Sequence, residues 1–193
     1  MSSGDPLPLA QAAAAPVAES ARWRVGINNY FRLSLPRVYS VTDRGTIATD
    51  REIDASYRFG GNASGMLTSL RIGAAAGQTT FGQVFYETDA STQVNTVIEQ
   101  HPSLFYGRVY IAPEIFRSGI ISGDLDLGVG GTSIGPLLTV GSNVDVETDA
   151  TFGPFDGIGT SIGASSWILW TQTGGRSYMS TNLNIQIGAA LRF

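Results

Sequence analysis

Apolar and polar side chains alternate with a period of two along most of the chain after residue 21. Side chains of an extended strand point to opposite faces in turn, so this period predicts β-strands. The final stretch, LNIQIGAALRF, shows the pattern most clearly, with one apolar and one polar face. We interpret its apolar face as packed on protein and its polar face as solvated or as a contact between subunits: the apolar set is Leu183, Ile185, Ile187, Leu191 and Phe193, and the polar set is Asn182, Asn184 and Gln186.

Similar runs recur along the chain and are separated by glycine-rich turns such as GGNASG, AAAGQ, FRSG and TGGRS. Short strands at this spacing predict an all-β antiparallel sandwich or barrel, which we expect to be jelly-roll-like with about eight or nine strands. Only residues 88–100 carry a helical pattern, and we expect a short helix there. The strand runs lie at about 22–35, 51–60, 65–74, 79–88, 104–115, 119–129, 134–148, 158–171 and 177–193.

Three runs are apolar on both faces: LFY at 104–106, VYI at 109–111 and WILW at 167–170. A membrane barrel with a water-filled lumen needs one polar face in every strand, whereas a sandwich within an assembly accepts strands with two apolar faces. These runs therefore favour a sandwich over a lipid-embedded barrel.

The first twenty residues, MSSGDPLPLAQAAAAPVAES, differ from the rest in their proline and alanine content. No positive segment precedes their apolar part, and Asp5 and three prolines interrupt it, so we do not interpret it as a signal peptide. We predict an extended arm over residues 1–21 and a single antiparallel β domain over residues 22–193. No window reaches the roughly 20 apolar residues of a membrane-spanning helix.

Composition limits the chemistry. The 193 residues are 15% charged and 42% hydrophobic, which indicates extensive contact surfaces, and they include no cysteine. Thiol catalysis and thiolate metal sites are thereby excluded. The single histidine, His101, stands in EQHPS without a serine or carboxylate at a triad spacing, and GVGGTSIG at 128–135 lacks the lysine of a phosphate-binding loop. We therefore expect a non-enzymatic protein without a cofactor.

Charge is unevenly distributed along the chain. Eight of the twelve arginines lie in the first 71 residues, whereas six acids and no basic residue lie between Ser118 and Gly175. Three interpretations stay open: a solvated face, complementary surfaces between identical subunits, or a calcium site built from paired carboxylates. The calcium candidates are Asp124, Asp126, Asp145, Glu147 and Asp149.

The charge of the chain gives little support for nucleic-acid binding. The net charge is −4, and no basic residue precedes Arg22. Three arginines share a face of the first strand, and we interpret them as that strand's polar face, with weak or indirect nucleic-acid contact as the alternative. As candidates for a subunit interface we select Arg22, Arg24, Arg32, Trp167, Trp170 and Phe193.

The arm, the strand-rich domain and the stretch LTVGSNVDVETDATFGP at 138–154 together resemble the jelly-roll coat proteins of viruses. That resemblance implies a capsid subunit of a virion that self-assembles with identical or related coat subunits, with sheet faces buried between them. A self-assembling virion coat is the main prediction for function.

A rival resemblance points to membranes. The last strand is similar to the closing strand of outer-membrane barrels, and several short blocks resemble the oligomeric porins of mycobacteria: YRFGG at 57–61, IISGDLDLGVG at 120–130, VDV at 144–146 and GTSIGA at 159–164. This resemblance implies a pore in an outer membrane. A third alternative is a soluble ligand-binding sandwich that uses Trp167, Trp170 and Tyr178.

Overall fold

The computed structural model describes residues 22–33, 49–60, 67, 69–79, 83–88, 95–101, 104–149, 151, 153–173 and 176–193. The arm predicted over residues 1–21 lies outside this part of the chain. The described residues form strands joined by turns: β1 Trp23–Leu33, β2 Thr49–Gly60, β3 Ser69–Thr79, β4 Gln83–Thr88, β5 Asn95–His101, β6 Leu104–Ser118, β7 Ile121–Thr132, β8 Gly135–Thr148, β9 Gly157–Thr173 and β10 Arg176–Arg192.

Eight of these strands close into one antiparallel barrel in the order β1-β10-β9-β8-β7-β6-β3-β2. The barrel closes because β1 pairs with β10, from Arg24 opposite Arg192 to Leu33 opposite Leu183. Each barrel strand thus lies beside its neighbours in the chain, with only the β4-β5 pair inserted between β3 and β6. The prediction of an all-β antiparallel fold is confirmed in its barrel form, whereas a jelly-roll sandwich is not shown, because the eight strands close into a single ring.

The barrel places its charged side chains inside and its apolar side chains outside, which is the reverse of the arrangement in a water-soluble protein. In β2, Glu52, Asp54 and Arg58 are buried inside the barrel, whereas Ile53 and Phe59 are 63% and 49% exposed on its outside. The last strand follows the same rule: Asn184 is fully buried, and Ile187 is 49% exposed. The alternation was predicted correctly, but the apolar face of 183–193 does not pack on protein.

Strand β3 continues through AAAGQ at 74–78, where the sequence analysis predicted a turn. Gly73 and Gly77 lie opposite Tyr110 and Tyr106 of β6 in the register. A Cβ atom at Gly77 would lie 2.5 Å from the hydroxyl oxygen of Tyr106, and one at Gly73 would lie 2.6 Å from that of Tyr110. These glycines leave space for two tyrosine rings inside the barrel, so their role is in packing and not in a turn.

Two local predictions have different outcomes. Residues 95–101 form strand β5, which pairs with β4, so the short helix predicted over 88–100 is wrong in its described part. The turn predicted at FRSG is confirmed between β6 and β7, where Gly119 has a φ of 59°. That left-handed conformation favours glycine because it carries no Cβ atom.

The two-faced apolar runs fill one end of the lumen. Tyr30, Tyr106, Leu137 and Trp167 form a buried cluster, with the Trp167 ring 4.9 Å from the rings of both tyrosines. An eight-stranded barrel is just wide enough for side chains to fill it. The inward apolar residues are therefore compatible with a membrane barrel whose lumen is packed with side chains. The sandwich favoured by these runs is wrong, because that preference assumed a lumen filled with water.

Candidate functional site

The lumen of the barrel concentrates nearly all of the charge described in its strands. Six arginines and eight carboxylates are buried inside. They come from seven of the eight barrel strands, because every second residue of a strand points inward and many of these inward positions carry charged side chains. The inward charged residues are Arg24, Arg58, Arg71, Arg108, Arg117, Arg192, Asp50, Glu52, Asp54, Glu114, Asp124, Asp126, Asp145 and Glu147.

The Asp145 cluster joins β1, β3, β7 and β8 through four residues. Asp145 accepts hydrogen bonds of 3.1 Å from Arg24 and from Arg71. Arg71 also lies 3.0 Å from Asp124, which in turn accepts a hydrogen bond from Asn143. Because these strands lie on different sides of the barrel, the cluster bridges the lumen.

The Glu147 cluster lies nearer the end of the barrel that holds the chain terminus at Phe193. Glu147 accepts hydrogen bonds from Arg58, from Arg117 at 3.2 Å and from Arg192 at 3.0 Å. Arg117 also donates to Glu114, at 2.6 Å. One carboxylate therefore fixes arginines of β2, β6 and β10, which removes the freedom of those strands to move apart.

The Glu52 cluster lies below the aromatic layer. Arg108 donates to Glu52 at 2.9 and 3.0 Å and to Asp126 at 2.6 Å. The hydroxyls of Tyr30 and Tyr106 donate to the same Glu52, at 2.8 and 3.1 Å. Every oxygen of this buried glutamate thus has several donors, which is what compensates the cost of its burial.

The clusters explain the uneven charge along the chain. Arginines of β1, β2 and β3 pair with carboxylates of β7 and β8 within one chain, so the asymmetry does not require a second subunit. The solvated face is likewise wrong for these residues because they are buried. Sequence reasoning missed Arg71, Arg108 and Glu52, although their inward positions in alternating strands were the signal that could have found them.

The calcium candidates are held by arginines. Asp124, Asp126, Asp145 and Glu147 each pair with at least one, and Asp149, whose side chain is 89% exposed, lies 2.8 Å from Arg192. Within the part of the chain that the structure describes, no group of three or more His, Cys, Asp or Glu side chains could hold a metal ion. The calcium site stays a hypothesis that these pairs do not support.

The candidates for a subunit interface separate into two groups. Arg24 and Trp167 face the lumen, at 8% and 2% exposure, and are not surface residues. Arg22, Trp170 and Phe193 lie on the outside, where Arg22 donates a hydrogen bond of 3.3 Å to the Tyr57 hydroxyl. The backbone of Arg32 lies opposite Asn184 in β1, and its side chain is outside the described set.

Three small cavities lie within the described part of the lumen. A polar cavity of about 20 Å³ for the centre of a water molecule lies at the Asp145 cluster. Cavities of about 10 Å³ lie on either side, one lined by Trp167 and Leu137 and the other by Arg58 and Glu147. Each has room for about one water. Several buried polar atoms at the first cavity have no hydrogen-bond partner among the described residues, so a single water there would find donors and acceptors. These atoms are Arg24 Nε, Asn28 Oδ1, Asn143 Oδ1 and Ser161 Oγ.

The outer face of the barrel is apolar over a wide band. Ile27, Val109, Val129 and Ile162 are 57–58% exposed there. On β6 the band runs from Phe105 to Phe116, about 36 Å along the strand and, at a strand tilt of about 40°, about 27 Å along the barrel axis. That height matches the apolar band of about 25 Å on membrane-spanning barrels.

Aromatic side chains mark both edges of the band. At the edge near Phe193, Tyr57 contacts Trp23 at 4.9 Å and Phe59 at 4.8 Å, both edge to face, and Phe193 lies 6.1 Å from Phe155. At the other edge, Phe105 and Trp170 are exposed. Rings of aromatic residues at this height are typical of membrane–water interfaces, where one end of the ring is apolar and the other wet.

Comparisons with known proteins give a consistent but distant picture. No family model and no curated protein matches the chain. Among solved structures, Neisserial surface protein A is 11% identical, with a TM-score of 0.47, and covers 89% of this chain and 97% of its own. The outer-membrane protein Ail of Yersinia pestis, solved in a phospholipid bilayer nanodisc, is 14% identical, with a TM-score of 0.43, and covers 90% and 99%. Both are outer-membrane β-barrel proteins.

The prediction of a virion coat subunit is therefore wrong. The chain forms a closed eight-stranded barrel, and the barrel turns its apolar side chains outward and its charges inward. The rival resemblance to outer-membrane barrels is the one that agrees with the closed barrel and its outward apolar face. No helix among the described residues has the length and hydropathy to cross a bilayer.

Proposed function

We propose that this chain is an integral outer-membrane β-barrel that spans the bilayer as a closed, side-chain-filled cylinder. One observation carries the proposal: of the charged side chains described in the barrel strands, fourteen point into the lumen, and Arg51 alone points outward. Water around the barrel would solvate charges placed outside, so a water-soluble barrel has no reason to hide them and expose isoleucines instead.

The energetic cost of the arrangement favours lipid over water as the surroundings of the barrel. Burying each paired charge costs several kcal/mol before its ion pair compensates the loss, and leaving large apolar patches in water promotes association. A protein in water would bear both costs, whereas in a bilayer the outer apolar band is favourable and only the interior pairs must be balanced. The closed sheet also leaves no unpaired strand edge in the barrel, which lipid requires.

The filled lumen favours a scaffold over an open diffusion pore. The Glu147, Asp145 and Glu52 clusters and the aromatic layer follow one another along the axis, and the spaces between them hold about one water each. We therefore propose a non-enzymatic barrel that anchors the chain in the membrane and displays the β4-β5 hairpin at the end away from the chain termini.

Folding from urea tests the membrane assignment. The full chain is diluted from urea into phosphatidylcholine vesicles and, in parallel, into buffer without lipid, and its β-sheet content and its gel mobility before and after heating are compared. We expect a compact, heat-sensitive folded form only with vesicles. A monomeric folded protein in plain buffer, with no partition into vesicles, would contradict the proposal.

Permeability tests the closed lumen. Vesicles that contain the folded protein are mixed with a small sugar, and their swelling is followed beside vesicles that contain an open trimeric porin. We expect no swelling above that of protein-free vesicles. Swelling at the rate of the porin would show that the lumen opens in the bilayer. That result would contradict the closed lumen but not the proposed insertion into the membrane.

A further inference from the structure

Arg51 is the one charged residue that faces outward among the described side chains of the barrel strands. It lies near the start of β2, and no hydrogen bond or ion pair joins it to another described residue. The ion pairs described in the barrel join charges that face the lumen, and none of the described acids pairs with Arg51.

Two carboxamide side chains flank Arg51 on the same face. Asn29 of β1 and Gln78 of β3 lie directly opposite it in the register of its two neighbouring strands. Adjacent strands are about 4.8 Å apart, so the three residues form a row about 10 Å wide on the outer surface. A guanidinium and two amides in one row offer several N–H donors to a single tetrahedral anion.

The row lies at one edge of the apolar band. Gln78 is opposite Phe105, which is 71% exposed and belongs to the aromatic edge away from the chain termini. The next outward residues along the three strands are Ile27, Ile53 and Ala76, which are apolar. An arginine at this height can extend its apolar stem along the wall and place its guanidinium among the lipid headgroups.

We propose that Arg51, Asn29 and Gln78 bind the phosphate of an anionic lipid at the outer wall of the barrel. Charge complementarity selects this occupant, because the row carries one positive charge and no described acid shares its face. Position selects it too, since phosphates of the headgroup layer lie at the height of the aromatic edge. The inference rests on the proposed insertion into a membrane.

Native mass spectrometry of the refolded full chain tests the site. The protein is titrated with phosphatidylglycerol or phosphatidylcholine in detergent, and the ratio of lipid-bound to free protein is measured for wild type, Arg51→Gln and Arg51→Lys. Arg22→Gln is the matched control, because Arg22 is also exposed but lies at the opposite end of the barrel and is bonded to Tyr57. Gel mobility confirms that each variant is folded.

We expect the wild type to bind phosphatidylglycerol more tightly than phosphatidylcholine. Arg51→Gln should lose about fivefold in apparent affinity for the anionic lipid, and Arg51→Lys should keep part of that affinity. Arg22→Gln should match the wild type. If excess inorganic phosphate displaces the bound phosphatidylglycerol, the site binds anions in general, and the assignment to a lipid is wrong. Equal binding of both lipids by wild type, or an unchanged Arg51→Gln, would also overturn it. Failure of wild type to fold in vesicles, by contrast, would count against the proposed function.

Discussion

Arg24 of β1 donates a hydrogen bond of 3.1 Å to Asp145 of β8, although 121 residues separate them in the chain. The contact crosses the lumen and is shared with Arg71, so one carboxylate balances two guanidinium groups. Such buried pairs contribute little net stability compared with an apolar core, but the loss of one partner leaves an uncompensated charge. The pair is therefore a sensitive place to test the interior.

Replacing Asp145 by Asn should lower the free energy of unfolding by about 3–5 kcal/mol, because Arg24 and Arg71 would lose their shared counter-charge. Urea titration of the protein in vesicles measures the change. Asp149→Asn is the control: its ion pair with Arg192 is at the surface, with a side chain 89% exposed, so its loss should cost about 1 kcal/mol or less. Equal effects of the two variants would mean that the lumen is solvated.

A charge on the lipid face should be costly only within the band. Ile162, the sixth residue of β9, is 57% exposed on the outer wall within the apolar band. Ile162→Arg should lower the unfolding free energy in vesicles by about 2–4 kcal/mol, whereas an arginine near the interface costs about 0–1 kcal/mol. Thr148→Arg, at the end of β8, serves as the interfacial control. A similar cost at both positions would argue against a bilayer around the barrel.

Gly77 and Gly107 offer a matched pair for packing. A Cβ at Gly77 would lie 2.4 Å from the Arg51 carbonyl oxygen, whereas at Gly107, on the outer wall, the nearest atom would be 3.9 Å away. Gly77→Ala should destabilise the barrel by about 1–3 kcal/mol through overpacking, and Gly107→Ala should be close to neutral. Chemical denaturation of both variants checks this, and a neutral Gly77→Ala would mean that Tyr106 does not lie over β3.

The three tryptophans can report which side of the wall they face. Trp23 and Trp170 are 52% and 38% exposed on the outside, and Trp167 is 2% exposed in the lumen. In variants that keep one tryptophan and replace the others by Phe, lipids brominated along the acyl chain should quench Trp23 and Trp170 strongly and Trp167 weakly. Strong quenching of Trp167 would be incompatible with the packed aromatic layer.

Local periodicity predicted much of this fold. The strands at 51–60, 158–171 and 177–193 agree with β2, β9 and β10 to within a few residues, because alternation is a property of each strand alone. The run at 65–88 was divided wrongly, since Gly73 and Gly77 look like turn residues until Tyr110 and Tyr106 of another strand are placed over them. Packing between distant strands is not visible in a local pattern.

Which face of a strand is inside cannot be predicted from alternation, because a period of two is unchanged when inside and outside are exchanged. The inward Tyr106, Tyr110 and Trp167 made the choice harder, since they resemble a soluble core. The long-range charge asymmetry was the better signal. Arginines in the first 71 residues and carboxylates between residues 124 and 147 are what an interior network between β1–β3 and β7–β8 requires.

The inward charges also constrain how the barrel can assemble. A sheet formed only by β1, β2 and β3 would present Arg24, Arg58 and Arg71 without the carboxylates of β7 and β8, and lipid would not accept that surface. The polar side becomes compatible with a bilayer only when β10 reaches β1 and encloses it. Ring closure and entry into the membrane must then be one concerted event, so the last strand of the chain controls when the first strands can leave water.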